Sequence, residues 1–562
     1  MNILGITSGS ESGACLFQNG RMVLAVSEER LTRKKFDDHF PALSITWILQ
    51  ESDLSHTDID LICYGFSLTF ADAQAEQTYI DNLLSAETLG DETSRAIIEQ
   101  RINTERQIDK TKRQAFFTEI RDLFPDTPIY NCSHHQSHQA AAFAPSPFAD
   151  ALVVTADGRG DFKSLTISRA NRHNGIQEFY ASPSWRSLGY FYGRITHLCG
   201  FTANRHEGKV TGLAALGNPK VAQDFIEQII RLEQGDICPA FGELYTPFFS
   251  NYSAALTEHA ARFSREDLAA AAQQQLEHIV CRLVETHAKS TGIRQICLAG
   301  GVFANVKLNQ KIRQLDCVDE VFIYPAMSDS GICAGSVYHY LLENGQSIPE
   351  IQQVFLGPDC NLAHYDADLY RRGIKATTDI KPIDRLIGLL ERQAVVGLIE
   401  GRSEFGPRAL GHRSIIASAF DKTMTERINH KLQRDDFMPF APSIAVDFAE
   451  RCLENYHPSC LSANFMTLSF PVKAEFAENS PAAIHVDNTV RPQIVTPDTN
   501  PFFYALLVAW QRKTGGLCLL NTSFNIHEEP IVNSVDDVIR ALEHDAVDLV
   551  FTPPNLFLTR SP

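Results

Sequence analysis

The chain opens on short apolar runs separated by polar turns. Asn2 to Thr7 (NILGIT) is the first run, and Gly13 to Gln18 and Arg21 to Ser27 flank Asn19-Gly20. That dipeptide accepts the positive φ angles of a two-residue hairpin, so a β-meander is predicted at the start. The pattern recurs later. Ala151 to Thr155 reads as a strand, Asp157-Gly158-Arg159-Gly160-Asp161 as a glycine-rich turn, and Ser164 to Ser168 as the returning strand. Two such units in one domain predict a duplicated architecture. Further on, Gln295 to Ala299 runs into Gly300-Gly301 and a helical stretch from Val302, and Val321 to Tyr324 ends at a turn over Met327 to Gly331. Polar turns after strand ends are where α/β proteins place ligands.

Helical patterns fill the intervals. Glu76 to Leu123 is long, charged and poor in Gly and Pro, and Ser264 with Asp267 forms a capping-box-like start for a helix through about Ala288. From Asn344 to Pro382 the pattern loosens, and a new strand begins at Ala394 to Ile399. An α/β protein of two domains is expected, 1–355 and 356–562, since 562 residues exceed a single hydrophobic core.

Composition narrows the function classes. Hydrophobic residues at 44% and charged residues at 21% are those of a globular protein. Fifty Lys and Arg against 68 Asp and Glu give a net charge of −18, which argues against stable nucleic-acid binding. Apolar runs such as AVVGLI at 394–399 are far shorter than the roughly 20 residues a membrane-spanning helix needs. The start MNILGIT shows no basic segment or cleavage pattern, so no signal peptide is expected. Thirteen scattered cysteines without a C-x-x-C pair suit reduced thiols, and a soluble cytoplasmic protein is expected.

In the first domain, His134 and His138 stand one helical turn apart and present their imidazoles on one face, a spacing suited to a metal. Surface or core histidines would give the same bare pattern, and His135 offers an alternative pairing at i, i+3. Asp157 and Asp329, each following a strand, complete a set of two imidazoles and two carboxylates. That set suits a first-row divalent ion such as Fe(II), Mn(II) or Zn(II) with open positions. Gly158, Gly300 and Gly301 would let backbone N–H groups approach phosphate, with Asn305 close by, and Lys209 in EGKVTGLAALG either meets a phosphate or lies on the surface.

In the second domain, RSEFGPRALGHRSI at 402–415 gathers Arg402, Arg408 and Arg413 after a strand. Arginine forks bind phosphate or carboxylate, structural ion pairs being the plainer use. Lys431 and Arg434 precede MPFAPSI, Arg491 follows His485-Val486-Asp487, and Asn521 and Ser523 offer an amide and a hydroxyl after the strand Leu517 to Leu520. A small doubly charged ligand with an amide could use all of these: carbamoyl phosphate fits, as would acetyl phosphate or a nucleotide.

The ordered strings ILGI, ACLFQNGRMVLAVSEERLTRKK, HHQSH, TADGRGD, EGKVTGLAALG, LAGGVFAN and SDSGICAG, then FGPRALGHRSI, PFAPSI, HVDNTVRPQ and NTSFN, resemble the NodU and tobramycin-type O-carbamoyltransferase family over nearly the whole chain. The resemblance implies an actin/Hsp70-like duplicated N-terminal domain, similar to the universal tRNA threonylcarbamoyl transferase, and a YrdC-like α/β C-terminal domain. It also implies a reaction. Carbamoyl phosphate and ATP yield carbamoyladenylate at the YrdC-like domain, and the carbamoyl group passes to a substrate hydroxyl at the metal, ideally by a dry route. Carried over, the metal ligands are His134, His138, Asp157 and Asp329, and the carbamoyl-phosphate residues are Arg408, Arg491, Asn521 and Ser523 with Lys431 or Arg434. Gly158, Gly300, Gly301 and Asn305 are the expected nucleotide contacts, and Glu11 and Lys209 the expected catalytic pair.

Two departures stand out. Where the family carries a His-Asp pair before the A-C stretch, this chain has Ser10-Glu11, so acceptor chemistry either differs or relies on Glu11. Where many members have Arg-Pro-Phe, it has Met438-Pro439-Phe440, leaving one phosphate contact missing or supplied by Arg434. The expected acceptor is a small molecule, a secondary metabolite or a sugar. Transfer to nitrogen, and a nucleotide-binding regulatory protein without transfer, are the competing readings. A homodimer is one assembly the sequence allows.

Overall fold

The computed structural model describes residues 1–561 except 67–76, 79, 82–91, 247–251, 363–368, 370 and 434–438. Two compact units divide the chain: Met1–Val23 with Asp38–Glu350, and Leu24–Asp37 with Ile351–Pro562. The division therefore falls five residues before the expected 355/356 boundary. It also gives the second unit an early segment, Leu24–Asp37, that a continuous division assigns to the first. Only tertiary contact, not local pattern, reveals such an exchange.

The first unit is built from two five-stranded sheets. In the first, Asn2–Thr7 pairs antiparallel with Gly13–Gln18 and parallel with Leu61–Tyr64, which pairs parallel with Ile129–Asn131, and the other edge strand, Arg21–Ser27, is cut by the unit division after Val23. In the second, Asp150–Gly160 pairs antiparallel with Lys163–Asn171 and parallel with Gln295–Ala299, which pairs parallel with Glu320–Ile323, and Gly175–Pro183 closes the far edge. Numbered within each half, both sheets read 3-2-1-4-5. The duplication expected of an actin/Hsp70-like domain is thus present in the strand order and in the pairing sense.

Local chemistry explains the turns. Asn19 and Gly20 take φ of 51° and 78°, the two-residue turn their sequence predicts. In the second half the expected turn at 157–161 is displaced. The strand runs on to Gly160 through an irregularity between Ala156 and Gly160, and the chain reverses at Asp161 and Phe162, with φ of 51° and 63°. The glycines serve a bulge rather than the turn.

The fifth strand of each half leads into a helix: Ile129–Asn131 into His134–Phe143, and Glu320–Ile323 into Ile332–Glu343. These two helices touch at small residues. A Cβ on Gly335 would lie 2.1 Å from the Ser137 carbonyl oxygen, so only glycine permits this approach. The helix expected from Ser264 is Arg265–Thr291, with the Ser264 hydroxyl accepting the Asp267 N–H and Gly292 ending it at φ 72°. Of the charged stretch from Glu76, the described part is the helix Glu92–Leu123, and most of 76–91 lies outside the described residues. The stretch after Gly300 is a 3₁₀ turn, Gly301–Ala304, followed by a helix, Val306–Arg313, that Asn305 caps.

The second unit carries an eight-stranded mixed sheet. Its order is Ile374–Thr378, Leu556–Arg560, Leu549–Thr552, Val396–Ile399, Arg413–Ser418, Leu519–Ser523, Ala441–Ala445 and Gln493–Val495. The helices Pro382–Glu391 and Pro501–Thr514 bury Leu386, Leu390, Phe503, Leu506 and Trp510 against it. No described helix is long and apolar enough to cross a membrane, and all 13 cysteines are unbridged.

Trp510 has no exposed surface and sits in this core. Trp510→Ala should destabilise the second unit by about 3–5 kcal/mol. Urea unfolding followed by circular dichroism should show a transition moved to lower urea.

Candidate metal centre and arginine pair

Four donors from three elements converge in the first unit. His134 and His138 start the helix after the fifth strand of the first half, Asp157 lies in the bulged end of the first strand of the second half, and Asp329 opens the 3₁₀ turn before Ile332–Glu343. Their ligand atoms all lie within 4.8 Å of one another. His134 Nε2 is 2.5 Å from Asp157 Oδ2 and 3.8 Å from Asp329 Oδ1, and His138 Nε2 is 3.4 and 3.6 Å from the same two atoms. Metal bonds of about 2.0–2.2 Å place neighbouring donors about 3 Å apart, so small adjustments suffice to seat an ion. His138 Nε2 and Asp157 Oδ1 are buried without a hydrogen-bond partner, which is costly unless a ligand completes them. The residues present therefore fit a divalent metal.

The surroundings decide which histidines serve. His135 Nδ1 is 2.7 Å from the Thr155 hydroxyl, and burial pushes the ring down to about 3, so it is a neutral, anchored side chain outside the donor set. Burial works to lower His138, but Asp157 and Asp329 outweigh it and raise it to about 9. Burial likewise opposes the Asp157 charge, and His134 and His135 overcome it, holding the carboxyl well below the usual range. The helix start is fixed by Ser133, whose hydroxyl accepts the Gln136 N–H, and by Asp161, which accepts the His134 N–H at 2.7 Å.

Ser10-Glu11 stands beside this set. Ser10 Oγ donates to Asp329 Oδ2 at 3.3 Å, and Glu11 Oε2 accepts the Ser330 N–H at 3.2 Å. Both contacts brace the Asp329 turn. The expected phosphate loops are more varied. Gly300, at φ 101°, packs where a Cβ would lie 2.2 Å from the Ala156 carbonyl, while Gly301 is open. Gly158 belongs to the bulged strand. The Asn305 side chain accepts the Leu308 N–H and exchanges two hydrogen bonds with Gln273, so its amide is engaged structurally. Helix dipole chemistry accordingly starts at Asn305 rather than Gly301. Lys209 lies on the helix Glu207–Leu213, its Nζ over the Phe201 ring at 5.9 Å.

In the second unit the three arginines of 402–413 separate into different roles. Arg413 is wholly buried and donates to the carbonyls of Glu400, His412, Pro358 and Gly401, a structural staple. Arg402 lies in the strand Arg402–Glu404 and its carbonyl is 2.7 Å from His412 Nδ1. Arg408 remains, and protein packed around it pushes its guanidinium well below the ordinary value, helped by the like charge of Arg491. Burial also pushes Arg491 down, to about 10. Both side chains keep partial solvent contact. Two half-buried guanidiniums acting on one another are chemistry suited to an anion.

Behind the Arg408 loop, Glu404 Oε1 accepts the N–H groups of Leu410, His412 and Arg413. Asn521 donates to Gln493, Ser443 and the Ala409 carbonyl, leaving its buried Oδ1 without a hydrogen bond. Ser523 donates to Asn525. Lys431 is already balanced by Asp545 and Asp548, at 3.0 and 2.8 Å, which speaks against a ligand role. Arg434 and Met438 lie outside the described residues. Sequence reading missed Glu404, Gln493 and Glu400. Burial raises Glu400, at the end of the strand Val396–Ile399, to about 7. The carboxylate of RSEFGPRAL, four residues before Arg408, was the available signal for the first.

The first unit thus carries a candidate metal centre and the second a candidate anion site. Residues 2–338 match the carbamoyltransferase N-terminus family and 387–558 the carbamoyltransferase C-terminus family, so the chain belongs to the carbamoyltransferases and is an enzyme of that class. It is 32% identical to nodulation protein NolNO of Sinorhizobium fredii over 94% of this chain and 76% of that one. It is 34% identical to nodulation protein NolO of Bradyrhizobium diazoefficiens over 76% of this chain and 78% of that one. Uncharacterized protein sll1178 of Synechocystis is 30% identical over 97% of this chain and 95% of its own.

Because His138 in the metal-free protein is raised to about 9, it holds a proton at neutral pH that an ion must displace. Its contribution to metal-free stability is present below the ordinary histidine value and lost as pH rises through about 9. Metal affinity should run the opposite way, rising from pH 6 toward 9. Isothermal titration with Mn(II) in two buffers of different ionisation enthalpy should register proton release at pH 7. A pH-independent affinity would contradict this assignment.

Proposed function

We propose that the protein is an ATP-dependent O-carbamoyltransferase that makes carbamoyladenylate in its second unit and passes the carbamoyl group to a hydroxyl of a small molecule in its first. The observation that carries the reading is the Arg408–Arg491 pair, two half-buried guanidiniums near enough for the charge of one to depress the other. Bidentate guanidiniums match the dianionic phosphate of carbamoyl phosphate, and the buried Asn521 carbonyl oxygen offers an acceptor for its amide N–H groups.

Atom balance requires one water. Water cleaves carbamoyl phosphate to carbamate and inorganic phosphate, a carbamate oxygen attacks the α-phosphorus of ATP, and pyrophosphate leaves. The acceptor hydroxyl then attacks the carbamoyl carbon, its proton passes to a base, and AMP departs. His134, His138, Asp157 and Asp329 would hold the divalent ion, with Fe(II) favoured over Mn(II) or Zn(II). When bound it supplies positive charge for the oxygen on which charge develops. Asp329, steadied by Ser10 and the Ser330 turn, keeps one donor toward solvent, with its side chain 22% exposed while the other three are nearly closed off. An acceptor would approach from that side, and the Glu11 carboxylate, which accepts the N–H of Ser330 next to Asp329, would serve as its base.

Wild-type protein given carbamoyl phosphate and ATP should release pyrophosphate and yield carbamoyladenylate by mass spectrometry. Arg491→Gln should lower that rate by at least about 100-fold, the loss of a charged contact worth about 3 kcal/mol. Without ligand the same variant should be as stable as the parent or more so, because a repelling charge is gone. Undiminished pyrophosphate release in Arg491→Gln would sink the reading.

A further inference from the structure

A group of buried charges stands directly behind the metal donors, and none of them is a donor. Arg101, Glu105, Asp109 and Arg113 project from the helix Glu92–Leu123, while Arg159 and Asp161 come from the hairpin that carries Asp157. Arg113 pairs with Asp161 at 2.6 Å and Asp109 at 3.1 Å, Arg159 pairs with Asp109 at 2.9 Å and Glu105 at 3.3 Å, and Arg101 pairs with Glu105 at 3.4 Å. Three cations balance three anions. Such a group is a poor source of stability, since desolvating six charges costs as much as their pairing returns. Its position suggests another use.

We infer that Asp161, held by Arg113, is the positioning residue that sets the metal affinity of the four-donor site. Its carboxylate joins two donors that belong to different halves of the unit. One oxygen accepts the N–H of His134, the first residue of its helix, and the other meets Arg113. The residue itself sits four positions beyond Asp157 in the same hairpin. Its backbone is left-handed at φ 51°, and such a conformation persists in a residue with a Cβ only where the surroundings hold it. The neighbouring Gly160 passes so close to His134 that a Cβ there would lie 2.1 Å from the imidazole Cδ2. The hairpin thus grips the His134 helix by its backbone at Asp161 and by its ring at Gly160, and the same hairpin delivers Asp157.

The charge arrangement answers a second need. The N-terminus of a helix carries partial positive charge, which disfavours a cation held by its first residue. A carboxylate on that N–H offsets the effect, and Arg113, on the far side of Asp161, fixes the carboxylate without touching a donor. Glu105 extends the clamp by accepting the Phe162 N–H at 3.2 Å and the Ser184 hydroxyl at 2.7 Å, fixing the hairpin tip. Phe66 closes the remaining side, its ring 5.0 Å from the His134 ring and beneath the Arg113 guanidinium at 5.4 Å.

The inference rests on the metal reading of the four donors, and the test separates the two. Mn(II) and Co(II) affinities are measured by competition with a chelating dye on wild type, Asp161→Asn and Arg113→Lys, alongside the melting temperature of each metal-free protein and the Co(II) visible spectrum. Asp161→Asn keeps an acceptor for the His134 N–H and drops the charge; Arg113→Lys keeps the charge and loses the planar fork. All four donors remain in both. Affinity should fall about 10–100-fold in Asp161→Asn, as for partners that orient metal ligands, with an altered Co(II) spectrum, and less in Arg113→Lys. Arg101→Lys, at the far end of the group, should leave affinity within about twofold whatever its effect on melting. If Asp161→Asn and Arg113→Lys melt lower but bind metal like wild type with an unchanged spectrum, the group is structural and the inference is overturned. If wild type itself binds neither ion, the metal reading fails instead.

Discussion

The structure of the first unit depends on the close approach of two equivalent helices, one from each half of an internal duplication. His134–Phe143 and Ile332–Glu343 can meet only because Gly335 leaves room for the Ser137 carbonyl. That contact brings the two N-terminal ends together, and with them His134, His138 and Asp329. The remaining donor, Asp157, comes from the first strand of the second half. Its counterpart in the first half is the turn after Asn2–Thr7, where Ser10 and Glu11 stand. The duplication has thus been used unequally: one half contributes imidazoles and a polar brace, the other carboxylates. The Ser10-Glu11 turn is, by topology, the mirror position of a metal donor.

Each unit also concentrates charged groups at its candidate site. In the first, two carboxylates and two imidazoles are packed with buried donor atoms that lack a hydrogen bond. In the second, the charge of Arg491 works against that of Arg408. The protein holds these groups in place with neutral or balanced supports. Glu404 gathers three backbone N–H groups behind the Arg408 loop, and Arg413 spends its guanidinium on carbonyls rather than on ligand.

Much of this was legible in the sequence where the determinant is local. Asn19-Gly20 specifies its hairpin, Ser264 caps its helix, and the four-residue spacing of His134 and His138 puts both rings on one face. Other features escaped because their cause lies elsewhere in the chain. The glycines of Asp157 to Gly160 look like a turn but serve a bulge, with the reversal taken by Asp161 and Phe162 under tertiary restraint. Lys431 looks like a ligand cation until Asp545 and Asp548, more than a hundred residues away, are brought beside it. Asp161 is 27 residues from the N–H it accepts, beyond any capping pattern a sequence displays. The family itself was legible because the resemblance reads the whole ordered set of motifs at once.

The central claim is that adenylate formation and carbamoyl transfer belong to different units. Pyrophosphate–ATP isotope exchange in Asp157→Ala and Asp329→Ala, with carbamoyl phosphate present, tests it most directly. The account predicts exchange at close to the wild-type rate in both variants, with no carbamoylated product. Loss of exchange in folded protein would contradict it, because the metal centre would then be needed for the chemistry assigned to the arginine pair.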